Sequence, residues 1–108
     1  MKASERRLYE AKAELIKAAG HPIRLAIIDC LRGGEQCVCE ITKEVGAERS
    51  NVSRHLAVMT RAGLLDNRKE GLMVFYRLRT PCILDFLSCV ERCLREQLKE
   101  DAAILRRL

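Results

Sequence analysis

Two cysteines two positions apart, Cys37 and Cys39, are the side chains of this 108-residue chain best suited to chemistry. Thiolates are soft donors and favour soft acceptors such as trivalent arsenic or antimony, Cd(II), Pb(II) or Cu(I). On a helix the two diverge by roughly 200° about the axis, so both can hold one ion only where the start of that helix is distorted. Three more cysteines, Cys82, Cys89 and Cys93, fall on one stripe of the last helical segment. Cys89 and Cys93 lie one turn apart and can chelate together, whereas Cys82 is about 16 Å from Cys93 along the axis, too far to share its ion within one subunit. The stripe either completes a site with Cys37 and Cys39, forms a separate site between subunits, or fills an apolar seam with small hydrophobes. Cys30 reads as core filler, and His21, just before Pro22, as a cap or packing residue.

A second constellation suits nucleic acid. Arg49, Ser50, Asn51, Ser53, Arg54 and His55 crowd the front of one helical segment whose back is apolar. Arg and Lys neutralise phosphates, and Asn, Ser, Arg and His at such a front can reach base edges in a major groove. Arg68 and Lys69, beside a glycine turn, would reach along the backbone or into the adjacent minor groove. Residues 48–79 hold seven basic and three acidic residues, while residues 1–47 and 80–108 are close to balanced, so the overall charge of +5 sits in the middle. A basic centre flanked by neutral ends fits a phosphate-facing surface on a self-associating protein.

These side chains need elements to position them. Leu8, Ala11, Leu15, Ile16, Ala18 and Ala19 recur at helical spacing up to Gly20, and Pro22 restarts the chain for a second helix that stops at Gly33-Gly34. A short third helix spans Val38 to Val45, with the Cys37–Cys39 box at its start, and Gly46 closes it. A fourth runs from Glu48 to Gly63 with Val52, Leu56 and Met59 inward. The segments around Glu70-Gly71 alternate at period two and predict a β-hairpin, and Pro81 opens a final helix with Ile83, Phe86, Leu87, Val90, Leu94 and Leu98 on one stripe. The order predicts a single mainly α domain over residues 1–108, a winged helix-turn-helix. Residues 37–63 form its helix-turn-helix and 64–79 its wing. Residues 1–20 and 81–108 are dimerisation helices, whose stripes exceed what one small domain must bury. Two recognition helices in successive major grooves, about 34 Å apart, imply a palindromic double-stranded operator.

No apolar run approaches the roughly 18 residues a membrane span needs. The charged start, Met1 to Arg7, leads into an amphipathic segment rather than an apolar signal core, so a cytoplasmic protein with reduced thiols is expected. No base stands beside a cysteine to make a thiol enzyme, and no enzymatic activity is expected.

Four strings stand in order: Gly20-His21-Pro22-Ile23-Arg24-Leu25, Glu35-Gln36-Cys37-Val38-Cys39-Glu40-Ile41, Asn51-Val52-Ser53-Arg54-His55-Leu56, and Arg68-Lys69-Glu70-Gly71 with Phe75-Tyr76-Arg77-Leu78. Together they resemble the ArsR/SmtB family of metal-responsive repressors over roughly residues 12–79. The resemblance implies a homodimeric repressor that needs no cofactor to bind DNA and leaves its operator when a thiophilic ion binds. As(III) or Sb(III) is the expected inducer, ahead of Cd(II) or Pb(II), with Cys37 and Cys39 as ligands. Arsenite-type members often carry a third cysteine where this chain has Thr42, and cadmium- and lead-type members use N-terminal cysteines that residues 1–29 lack. Any further ligand would come from Cys82, Cys89 or Cys93. The His-rich zinc site on the last helix of other members has no ligands here. A thiol-redox repressor of the same fold, switched by cysteine oxidation, is the competing expectation.

Overall fold

A computed structural model of the chain describes residues 1–107; Leu108, the last residue of the expected dimerisation helix, lies outside them. The elements are α1 (Ala3–Ala19), α2 (Pro22–Cys30), β1 (Gln36–Cys37), α3 (Val38–Val45), α4 (Arg49–Arg61), β2 (Leu65–Glu70), β3 (Met73–Leu78) and α5 (Ile83–Arg107). Every helix and both wing strands stand near where their patterns place them, with α2 ending at Cys30, short of Gly33, and α5 starting at Ile83, two residues after Pro81. β1 was not expected: it pairs antiparallel with β3, giving a three-stranded sheet of order β1-β3-β2.

Local chemistry explains most of the boundaries. His21 caps α2, its Nδ1 accepting the Ile23 N–H at 3.1 Å, and Pro22 occupies the first helical position, where a missing N–H costs nothing. Gly46 ends α3 in the left-handed conformation, φ 71° and ψ 28°, and its N–H bonds the Thr42 carbonyl at 3.0 Å. The chain turns there into α4. The helix-turn-helix thus hinges on a residue without a Cβ.

The core is one cluster: Ala18 and Ala19 of α1, Ile27, Ile28 and Leu31 of α2 and its C-terminal end, Ile41 of α3, Val52, Leu56 and Met59 of α4, Leu64 and Leu65 at the entry to the wing, and Ile83 of α5. α2, α3 and α4 therefore share one interior, and α3 packs directly against α4 through it. Arg79 N–H bonds the Leu64 carbonyl at 2.8 Å and Thr80 Oγ1 bonds the Gly63 carbonyl at 2.9 Å, closing the hairpin at its base. Beyond that base the alternation expected of the wing fades: Asn67 to Met73 are all exposed. The protein is a slab of 60 × 44 × 22 Å. Leu8, Tyr9, Ile16, Phe86, Val90, Leu94 and Leu98 remain exposed on α1 and α5, and an apolar groove of about 260 Å³ between them is lined by Leu15, Ile16, Cys82, Ile83 and Phe86.

Candidate nucleic-acid interface and thiol sites

The front of α4 is polar and exposed, as a reading surface requires. Val52, Leu56 and Met59 anchor the helix, which turns Arg49, Ser50, Ser53 and Arg54 fully outward. Asn51 is half-buried, and its Oδ1 accepts from Arg54 Nη2 at 3.5 Å. No acidic side chain pairs with Arg49 or Arg54 among the described residues, so both guanidinium groups are available to an anion.

His55 differs from the expectation. It was placed with its neighbours on the DNA face, but its ring is half-buried against that of His21, centroids 4.4 Å apart. Its Nδ1 accepts from Arg24 Nε at 3.1 Å. An Nδ1 that accepts leaves the proton on Nε2, the one ring atom His55 retains for DNA. Burial, and then the charges of His21, Arg24 and Arg54, hold its pKa below the ordinary 6.5. His55 thus joins α4 to α2, and of its two ring nitrogens only Nε2 is left for a further partner.

Arg68 is also placed differently. Rather than reaching from the wing as a free cation, it donates Nε–H to Glu35 Oε2 at 2.8 Å and Nη2–H to Glu35 Oε1 at 2.6 Å. Its Nη1 also meets Glu70 Oε2 at 2.9 Å. Paired with two carboxylates, it adds no net positive charge to the wing. Lys69 is exposed and forms no ion pair among the described residues. Arg77 is spoken for as well, bonded to Asp66 at 3.1 Å.

The thiol box departs from a helical geometry. Cys37 is not within α3 but caps it from β1, in extended conformation (φ −79°, ψ 160°), with Phe75 as its partner in β3. The roughly 200° divergence of two helical positions therefore does not apply. Cys37 is 3% exposed, and its Sγ–H donates to Glu40 Oε1 at 3.3 Å. Cys39 is exposed. Thr42, where a third cysteine would stand, bonds its hydroxyl to the Val38 carbonyl at 2.7 Å. Cys82 lines the groove between α1 and α5, and Cys89 and Cys93 are exposed on α5. Among the described residues no three His, Cys, Asp or Glu side chains gather closely enough to hold an ion within one protomer.

Cys30 is half-buried as expected of filler, with one addition. Burial and the Glu44 carboxylate push its thiol up to about 12, so it stays protonated. The Glu35 latch on Arg68 and the β1 strand are the features sequence reading missed. Their partners lie 33 residues apart in the first case, and in the second the strand is only two residues long.

Comparison with known proteins agrees with this architecture. The profile of bacterial regulatory proteins of the arsR family matches residues 21–67, from the cap of α2 into the wing. The HTH-type transcriptional regulator Rv0081 of Mycobacterium tuberculosis is 34% identical over 99 residues, which cover 91% of this chain and 87% of that one. Its crystal structure superposes with a TM-score of 0.76 over 88% of this chain and 96% of that one. The winged helix-turn-helix domain Mb0332 of Mycobacterium bovis, described as homodimeric, is 26% identical with a TM-score of 0.79, over 93% of each chain. The arsenic resistance regulator ArsR1 of Pseudomonas putida is 47% identical, but over 47 residues only, 44% of this chain and 37% of that one. No described helix is long and apolar enough to cross a membrane. A polar-fronted α4 seated on α3, a hairpin wing behind it and a relative alike over nearly its whole length lead to one assignment: the chain belongs to the arsR family of bacterial regulatory proteins, as a DNA-binding transcriptional regulator of winged helix-turn-helix fold and not an enzyme.

Proposed function

We propose that the protein is a homodimeric repressor that grips a palindromic operator through α4 and the wing, and is released when a soft ion, As(III) or Sb(III), is taken by Cys37 and Cys39. The observation that carries this reading is the position of Cys37. It is the last residue of β1 and the cap of α3 at once, so a ligand that pulls its sulfur from the interior toward Cys39 reshapes the start of α3. α3 shares Ile41 with the core that holds α4, and three residues, Gly46 to Glu48, separate the two helices. The recognition helix would then be re-aimed without any contact between ion and DNA. The likeness to ArsR1 spans less than half of this chain and supports the choice of arsenic chemistry.

A third thiolate would come from Cys82, Cys89 or Cys93 of the same chain or its partner. The exposed apolar stripes of α1 and α5 support dimerisation through those helices, as does the homodimeric state described for Mb0332. A second reading, release by thiol oxidation, is favoured by one contact. Arg92 Nη2 stands 3.1 Å from Cys89 Sγ, one turn from the exposed Cys93. Anaerobic titration of the operator complex separates the two: arsenite should dissociate it under strong reductant, with Cys39→Ser abolishing the response. Release by oxidant alone, with arsenite inert, would replace the first reading by the second.

A further inference from the structure

Glu35 serves neither the reading surface nor the thiol box, yet it closes a ring of contacts between them. Its carboxylate receives both arms of the Arg68 fork, at 2.8 and 2.6 Å. The same guanidinium lies over the Phe75 ring, 4.6 Å from its centroid. Phe75, in the middle strand, has Arg68 as its register partner on one side and Cys37 on the other. Cys37 follows Glu35 by two residues, so the path Glu35, Arg68, Phe75, Cys37 returns to its start.

Each part of this ring is weak alone. A two-residue strand holds little by itself, and a two-stranded ribbon projecting into solvent is marginal in water. A bidentate carboxylate–guanidinium pair is directional, and a cation stacked on an aromatic face adds to it. Among the described side-chain hydrogen bonds, those from Arg68 to Glu35 are the ones that join residues 66–77 to the rest of the chain.

We propose that Glu35 is a positioning residue for DNA binding: it holds Arg68 against Phe75, fixes the wing on β1, and lets go of the wing when Cys37 is drawn out of β1. The last clause rests on the ion-release reading above; the first two do not. Operator release then has two arms, the re-aimed α4 and an unlatched wing, both starting at Cys37.

Hydrogen–deuterium exchange on the full-length protein tests the latch without any ion. In Glu35→Gln, the amides of residues 67–73 should exchange roughly threefold to fivefold faster than in the wild type, the range expected for a well-formed surface ion pair. Amides of α2 and α4 should keep their rates, which reports that the fold is intact. Arg68→Lys, which retains the charge but not the fork, should do the same, and the double variant should add nothing. Operator binding by Glu35→Gln should steepen in its log K against log salt slope, by no more than about 0.9, because Arg68, left with Glu70 as its one carboxylate, can turn toward a phosphate and displace up to one more counterion. Wild-type exchange rates in the wing of Glu35→Gln overturn the latch, whatever the slope does. With arsenite added to the wild type, wing exchange should rise as DNA is released. Release with an unchanged wing overturns the coupling of Cys37 to the wing and leaves the ion reading standing. Failure of arsenite to release DNA removes the ion reading, while the ion-free comparison still decides the latch.

Discussion

Arg24 and His55, 31 residues apart, meet through a single hydrogen bond, Nε–H to Nδ1 at 3.1 Å, that ties α2 to the middle of α4. Arg24 also donates from Nη1 to the Lys17 carbonyl near the end of α1, at 3.2 Å. One guanidinium thus links three helices, and the His55 ring, against His21, is the acceptor at the far end.

This arrangement makes stability depend on pH. The folded-state pKa of His55 lies below its ordinary 6.5, chiefly through burial. The unfolded chain therefore takes up the proton first as pH falls. Stability from this group is complete above about 6.5 and is lost as pH falls through that value and through the lower folded value. Between pH 7.5 and pH 5, the fall in Tm should be larger for the wild type than for His55→Gln. Parallel curves for the two proteins would reject the assignment.

Arg54 and Lys69 should affect operator binding differently. Arg54 is exposed at the front of α4 without an acidic partner, so Arg54→Ala should weaken specific binding by roughly tenfold or more, consistent with loss of one good base contact. Lys69→Ala should weaken binding to operator and unrelated DNA alike, and lower the salt slope by about 0.9. Equal isotherms for Arg54→Ala and the wild type would place DNA reading elsewhere.

The two box cysteines should separate in chemical denaturation. Cys37 is buried against the sheet, so Cys37→Ser should cost about 1 kcal/mol, while Cys39→Ser at an exposed position should stay within about 0.5 kcal/mol. Ion-response experiments with Cys37 variants thus need a stability measurement beside them. In alkylation followed by mass spectrometry, Cys39 should be modified well before Cys30, whose thiol is pushed up to about 12.

Gly46 carries the turn between α3 and α4 at φ 71°. An added Cβ meets no atom within 4 Å, so the penalty of Gly46→Ala is conformational rather than a clash. It should destabilise the domain by about 1–2 kcal/mol, read from the urea midpoint. An unchanged midpoint would mean that the turn tolerates another backbone conformation.

The helices were legible because each is marked within its own sequence, by the stripe of Val52, Leu56 and Met59 in α4 or by Pro22 and Gly46 at ends. The wing was legible from its glycine turn. β1 was not, because Gln36 and Cys37 become a strand only by pairing with Tyr76 and Phe75, about forty residues on. That pairing is why the cysteine box lies half outside α3. Arg68 and His55 were read as DNA contacts from residue type and place along the chain, beside the glycine turn and at the front of α4. Their other partners, Glu35 and Arg24, are set by tertiary packing that no local pattern encodes.

A body only 22 Å thick has room for an interior about one side chain deep, and much of the apolar surface of α1 and α5 faces outward. If a second copy covers that surface, folding and association become one equilibrium, and the melting temperature climbs with the logarithm of protein concentration. The number of molecules a cell makes would then govern how long each survives as well as how fully the promoter is silenced.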